Sequence, residues 1–333
     1  MSGRLIALAI LVSPLSAQQP RVTVETSGDT VLVVRLGPIN MPANAEHDRI
    51  SQLALQTWQM PAGGWLRGYR VEMVDGSGNV LPSALLHHAE LIDLERRDLL
   101  RPAYNRVASA GKETRALLLP ARMGYPVRRG QRVGINAMVA NPTSQAHPAA
   151  YVRATLTMVP ESTTNVRPVL GFYAETSYDS TGDSSFDLPA GASQRVVNFT
   201  VPIAGQVLGV GGHLHDFGTR FVVVRAASPD TIYNAVPRRD SSGVVSGMPR
   251  QAMFFGRAVR IAAGEQFVMT VYYDNPTGRL LRGAGMGTFG VVFSPDDLAA
   301  WPALDTASAP LRRDLAALRS THQHPMQTGG HRH

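Results

Sequence analysis

The sequence predicts an all-β chain built as two tandem antiparallel β-sandwich domains. Three observations predict it. Apolar residues alternate with polar ones at period two in many short runs. Gly, Pro, Asn and Asp punctuate those runs at turn spacing. One segment recurs: GQRVGINAMVANPT at 130–143 aligns without a gap with GEQFVMTVYYDNPT at 264–277.

Residues 1–17 come first. One arginine, about ten apolar residues and then small residues read as a secretory signal peptide cut near Ala17, since the apolar run is too short to span a membrane. The mature chain is expected to be exported, periplasmic or extracellular, without membrane insertion. It has no cysteine, so neither a lipid anchor on cysteine nor a disulfide is available, and core burial must hold the fold.

RVTVETSGDTVLVVRLGPI at 21–39 reads as two strands around Ser27-Gly28-Asp29. Residues 43–57 read as a short helix. Residues 65–95 read as strand, Gly-rich turn at 75–79, and strand. Further strands are expected at 132–140, 150–159, 195–211, 219–226, 257–262, 266–273 and 287–293, and a second short helix at 309–319. Both repeat segments start at a glycine turn and stop at Asn-Pro-Thr, where proline cannot donate to a ladder. The repeat divides the chain into domains at 20–162 and 163–296. Residues 297–333 are an extension ending in HQHPMQTGGHRH, whose composition predicts disorder; it reads either as a metal-collecting tail or as a plain flexible terminus.

Ten histidines occur, and two close groups stand out: LLHHAEL at 85–91 and GGHLHDFG at 211–218. On a strand, residues i and i+2 share a face, so His213 and His215 project side by side and can share a metal. A third ligand must come from a neighbouring strand. Met286, between glycines in GAGMG that leave space around its thioether, is the candidate, and a thioether favours copper, Cu(I) above all, over zinc; the alternative is a core filler. His87 and His88 are adjacent, so they can share a metal only where the strand is bulged or ending. Asp216 either orients a ligand or caps a turn.

These residues together resemble the copper type II, ascorbate-dependent monooxygenases, the family that includes peptidylglycine α-hydroxylating and dopamine β-monooxygenases. HHAELI at 87–92 is similar to its His-His-Met-Glu segment, and HLHDFG at 213–218 to its His-x-His segment. VMTVYYDNPTGRLLRGAGMGTFGVVFSP at 268–295 is similar to the block carrying its methionine ligand, with Met286 nine residues before Pro295. The resemblance implies two jelly-roll domains with one copper each. It implies that His213, His215 and Met286 form an oxygen-activating copper site, and that His87 and His88 belong to an electron-transfer copper supplied by ascorbate. Three departures go with it. Met138 stands where the family has its third electron-transfer histidine, and reads either as a soft ligand or as a core residue. His147 is a substitute within reach in sequence, and His47 a remoter one. Gly211 replaces an arginine that clamps a substrate carboxylate in the peptide-hydroxylating members, and the disulfides of the animal members are missing.

The formal net charge is +7 and almost wholly arginine, scattered singly or in pairs with no aromatic interleaving, which points to a solvated surface and away from nucleic acid. There is no G-x-S-x-G elbow, phosphate loop or H-E-x-x-H helix. The expected function is an exported copper-dependent monooxygenase acting on a small-molecule or peptide-like substrate with O2 and an ascorbate-like reductant. The alternative is a non-catalytic copper storage or delivery protein on the same fold.

Overall fold

The structure is a computed structural model that describes residues 19–44, 49–111, 116–177, 185–241, 243–254, 256–321 and 323–325. The signal-peptide reading of residues 1–17, His47, and the tail from 326 onward lie outside the described residues. Eleven strands come first: β1 (Arg21–Ser27), β2 (Val31–Met41), β3 (Arg49–Gln59), β4 (Gly64–Val74), β5 (Leu86–Arg97), β6 (Tyr104–Gly111), β7 (Ala116–Leu118), β8 (Met123–Val127), β9 (Arg132–Val139), β10 (His147–Pro160) and β11 (Arg167–Pro168). The second set is β12 (Leu170–Glu175), β13 (Ser185–Leu188), β14 (Gly191–Val201), β15 (Gly205–Leu214), β16 (Gly218–Arg225), β17 (Thr231–Ala235), β18 (Arg238–Arg239), β19 (Val245–Gly247), β20 (Gln251–Ala252), β21 (Val259–Ile261), β22 (Glu265–Asn275) and β23 (Leu281–Pro295). Helix α1 (Ala309–Arg319) and β24 (Gln323–Pro325) follow. Among the described residues no helix is long and apolar enough to cross a membrane.

Strand order makes each half a jelly roll. In the first half, β2-β10-β4-β8 form one sheet and β3-β9-β5-β6 the facing one. In the second, β12-β23-β15-β21 face β14-β22-β16-β17. Taken in chain order, the eight strands alternate between sheets in the same way in both halves, the signature of two nested Greek keys. Inward residues alternate along the strands, as in β23, where Gly285, Gly287, Phe289, Val291 and Phe293 are buried and the residues between them are not. The buried apolar side chains of both sandwiches form one continuous cluster.

The repeat is physical down to single hydrogen bonds. Asn141 is buried at the end of β9, and its Nδ2 reaches the carbonyls of Met41, Pro42 and Gln145 at 3.1, 2.8 and 2.9 Å. Its Oδ1 accepts from Thr143 N and Oγ1. Asn275, 134 residues on, reaches Leu188, Pro189 and Arg279 carbonyls at 3.4, 3.0 and 2.8 Å, and accepts from Thr277 N and Oγ1. The amide supplies the ladder partners that the following proline cannot.

Four sequence expectations need correction. The helix expected at 43–57 is not found among its described residues: β3 takes up 49–57, because pairing with β9 on one side and β24 on the other outweighs the helix-forming Leu, Ala and Gln residues. The run at 195–211 is two strands in opposite sheets, β14 and β15, divided at Pro202. The first sheet keeps the chain through Pro168, since β11 pairs with β8, so the handover falls later than residue 163. The extension, finally, is structured through Pro325 and returns to the first domain. Helix α1 buries Leu311 and Leu318 against Leu55, Ile92, Leu94 and Tyr104. Asp314 clamps Arg106 in a two-pronged pair at 2.8 and 2.7 Å, and β24 adds to the free edge of β3.

The domains meet through polar contacts. Asn105 Nδ2 donates to Gly171 O at 2.9 Å, and Arg101 of the first domain lies 2.6 Å from Glu175 on β12.

Candidate metal centres

The second-domain centre sits where β15 and β23 part. Their ladder pairs His213 with Thr288 and Leu214 with Gly287 and ends there, so Met286 lies two residues along β23 from the partner of His213. Directly opposed residues in an antiparallel pair share a face. His213, His215 and Met286 are therefore on one face, half-buried, while Leu214 points into the core at 1% exposure. The two imidazoles stand 5.3 Å apart between ring centroids and nearly perpendicular, at 89°. Two imidazoles sharing one tetrahedral metal, with metal–nitrogen bonds of about 2.0–2.1 Å, have centroids about 5.2 Å apart. Two imidazoles and a thioether are a donor set that suits copper.

The glycines around Met286 play a different part from the one expected. They do not leave space beside the thioether. A Cβ on Gly285 would lie 2.5 Å from the Phe186 ring, and one on Gly287 would lie 2.7 Å from Val271 and 2.9 Å from Thr176. Inward neighbours already fill those positions, and Met286 is carried outward on the intervening residue. Thr176 also pins Gly287, donating N–H to its carbonyl and accepting its N–H on Oγ1, both at 2.9 Å.

Tyr273 was not legible as part of this centre. It rises from β22 in the facing sheet, 2% exposed, and its hydroxyl ends between the two ligand-bearing strands. The hydroxyl donates to Met286 O and accepts from Met286 N at 3.1 Å. The His215 backbone lies close to it, and burial pushes the phenol up to about 12. The signal lay in the repeat, where Tyr273 aligns with the aliphatic Val139.

Asp216 ties the end of the β15 run to β19: its Oδ1 accepts from Val245 N at 2.9 Å. At Gly211, Arg250 takes up the space beside the backbone; a Cβ there would lie 3.3 Å from Arg250 Cγ. An arginine therefore does stand next to position 211, supplied from a distant loop.

The first-domain centre meets the condition that adjacent histidines required. Leu86 pairs with Val139 and His88 with Met138, which leaves His87 as the extra residue of a β-bulge. The Nδ1 atoms of His87 and His88 approach to 3.1 Å, with ring centroids 5.2 Å apart. Met138 is directly across from His88. The second domain has the same bulge, with Gly218 opposite Tyr273 and Arg220 opposite Tyr272. The bulge thus belongs to the fold, and only the first copy places histidines on it. It also follows that the two histidine motifs do not occupy equivalent strands: His87 and His88 open β5, whereas His213 and His215 end the β15 run in the other type of sheet.

His147 does not join His87 and His88. It opens β10 opposite Met41, 7% exposed, with its Nε2 buried and unpartnered. Leu281 opposite Leu188 holds the same position in the second copy. Among the described residues no three His, Cys, Asp or Glu side chains are grouped to hold a metal; each histidine pair has a methionine on the neighbouring strand, Met138 opposite His88 and Met286 two residues from the partner of His213.

Between the centres lies a buried charged junction. Glu175 shares its row with Thr288 and His213. Burial pushes its carboxyl above the usual range, offset in part by Arg101 and Arg106. Asp98, fully buried, is pushed up likewise against the pull of Arg101.

No protein-family model matches the sequence, and no curated protein matches it. Among solved structures, the chain is similar to the atomic structure of Sulfolobus Turreted Icosahedral Virus at 10% identity, covering 90% of this chain and 98% of that one, with a TM-score of 0.39. It is similar to the major capsid protein P2 from bacteriophage PM2 at 5% identity, covering 78% and 97%, with a TM-score of 0.34. It is also similar to PNGF-II at 10% identity, covering 84% of this chain and 64% of that one, with a TM-score of 0.27.

Proposed function

We propose that this chain is an exported copper-dependent monooxygenase that hydroxylates a small or peptide-like substrate with O2 and an ascorbate-like reductant. One observation carries the reading: each sandwich holds an imidazole pair at metal-sharing separation, 5.3 and 5.2 Å, with a methionine on the neighbouring strand, Met138 opposite His88 and Met286 two residues from Thr288, the partner of His213. His213, His215 and Met286 would hold one copper, and His87 and His88, with Met138, the other. Bound copper supplies oxygen activation at the first and one-electron transfer at the second. The residues' own contribution is to present two neutral imidazoles and a weak, soft thioether, a set that stabilises the reduced ion. Arg250, beside Gly211 on the His213 face, is placed to orient an anionic group of a substrate.

The test is oxygen consumption by copper-loaded protein with ascorbate. Turnover that disappears in His213→Ala and falls steeply in Met286→Leu supports the proposal. Copper-loaded wild type that binds the metal yet consumes no oxygen with any reductant contradicts it. A second reading, copper storage or delivery, draws support from the first-domain centre, where Met138 stands in place of a third imidazole and His147 lies apart. That reading expects tight Cu(I) binding without oxygen chemistry.

A further inference from the structure

A buried tyrosine hydroxyl at the end of a β-ladder calls for a reason. Side chains that cross a sandwich core are normally apolar, and a buried hydroxyl is costly unless partnered. The Tyr273 hydroxyl finds its partners in the main chain of Met286. From Gly209 on, the β15–β23 ladder pairs in register as far as Leu214 and Gly287. At the next step, where the strands part, the phenol oxygen takes the Met286 amide and donates to the Met286 carbonyl, with the His215 backbone close to it. The fold itself does not need this hydroxyl. Val139 is the matching residue of the first sandwich, established by the paired Asn-Pro-Thr networks that follow each, and that sandwich closes with the same strand order. Phe186 packs edge-on against the Tyr273 ring at 5.7 Å, and Arg195 lies over Phe186 at 4.8 Å, so the ring is braced from behind.

We infer that Tyr273 is a positioning residue whose hydroxyl holds the Met286 backbone where β15 and β23 part, setting the thioether at the separation from the imidazoles that lets them take one soft metal ion together. The inference rests on the copper reading of His213, His215 and Met286. It assigns the tyrosine no contact with metal or substrate. It explains why a lone methionine on a partly exposed, glycine-flanked strand can hold a defined place: the flanking glycines admit close packing inward, and the hydroxyl holds the backbone between them.

The test uses full-length protein carrying His87→Ala and His88→Ala, so that the second-domain centre is read alone. Cu(I) affinity is measured against a competing chelator, and the copper–sulfur signal by X-ray absorption. Tyr273→Phe, which removes only the hydroxyl, is expected to weaken Cu(I) by about ten- to hundred-fold, as loss of an orienting partner does at metal sites, and to lose the copper–sulfur signal. Tyr125→Phe removes a comparable buried hydroxyl from the first sandwich and is expected to keep both. Tyr273→Phe with unchanged affinity and intact sulfur signal overturns the inference while leaving the copper site standing. A parent protein that takes no Cu(I) overturns the site reading, and the inference with it. A readout on unsubstituted, metal-free protein stands even if Tyr273→Phe does not fold: the Met286 amide exchanges slowly if the phenol holds it, and exchange at the rate of open backbone overturns the inference.

Discussion

At the residue scale, two buried asparagines and one buried ion pair carry more of the architecture than their polarity suggests. Asn141 and Asn275 each tie a strand end to an adjoining loop through five hydrogen bonds. Replacing either by alanine strands several carbonyls and amides, each costing about 1–3 kcal/mol when left buried and unpaired. Asn275→Ala is expected to lower stability by about 3 kcal/mol, read as a shift in denaturant midpoint without a change in slope. The repeat showed in the sequence because Asn-Pro-Thr is a local motif with a backbone reason behind it. His213, His215 and Met286 were legible for a similar reason, since strand periodicity and register are short-range. Tyr273 was not, because its role depends on a residue crossing from the opposite sheet. The glycines flanking Met286 were misread because sequence shows a missing side chain without showing what fills the gap.

At the element scale, the bulge under His87 and the docking of α1 show what pairing decides. A bulge cannot be read from LLHHAEL alone; it emerges from the register of β5 against β9, and its recurrence at Thr219 shows that it precedes any histidine. Residues 43–57 look helical by composition, and 49–57 form a strand because β9 offers a ladder. Helix α1 was legible from 309–319, yet its seat on the first domain was not, because nothing local points Leu311 and Leu318 toward Leu55 and Ile92. The Arg106–Asp314 pair joins that helix to β6 at 13% and 8% side-chain exposure. Asp314→Ala leaves the buried Arg106 guanidinium with Glu90 at 3.5 Å and the Tyr104 carbonyl at 2.7 Å, and is expected to cost about 3–5 kcal/mol. Deletion of residues 302–333 removes the helix and the ion pair together, and calorimetry of that variant is expected to show the first sandwich melting earlier.

At the scale of the whole molecule, two sandwiches are held together by groups that titrate. Asp98 and Glu175 both lie against Arg101, with Arg106 and Glu90 close by, and burial raises both carboxyls above their ordinary values of 3.8 and 4.5. The folded chain therefore binds these protons more tightly than the unfolded chain does. Their contribution to stability is largest below about pH 4, where both states are protonated and the buried neutral form incurs no charge penalty. It declines as pH rises from there through the folded-state values. Glu175→Gln is expected to flatten the fall in melting temperature between about pH 4 and neutrality relative to wild type; an unchanged pH profile would show that Glu175 does not titrate with folding. The same junction presents Glu175 in one row with His213, so the domain contact and the second-domain centre share a sheet face.

Copper per chain tests the central claim most directly, determined by metal analysis on purified wild type, His87→Ala and His213→Ala after loading and removal of loosely held metal. Two separate centres predict two coppers in wild type and one in each variant. Wild type that retains no copper, or variants that retain as much as wild type, would contradict the account.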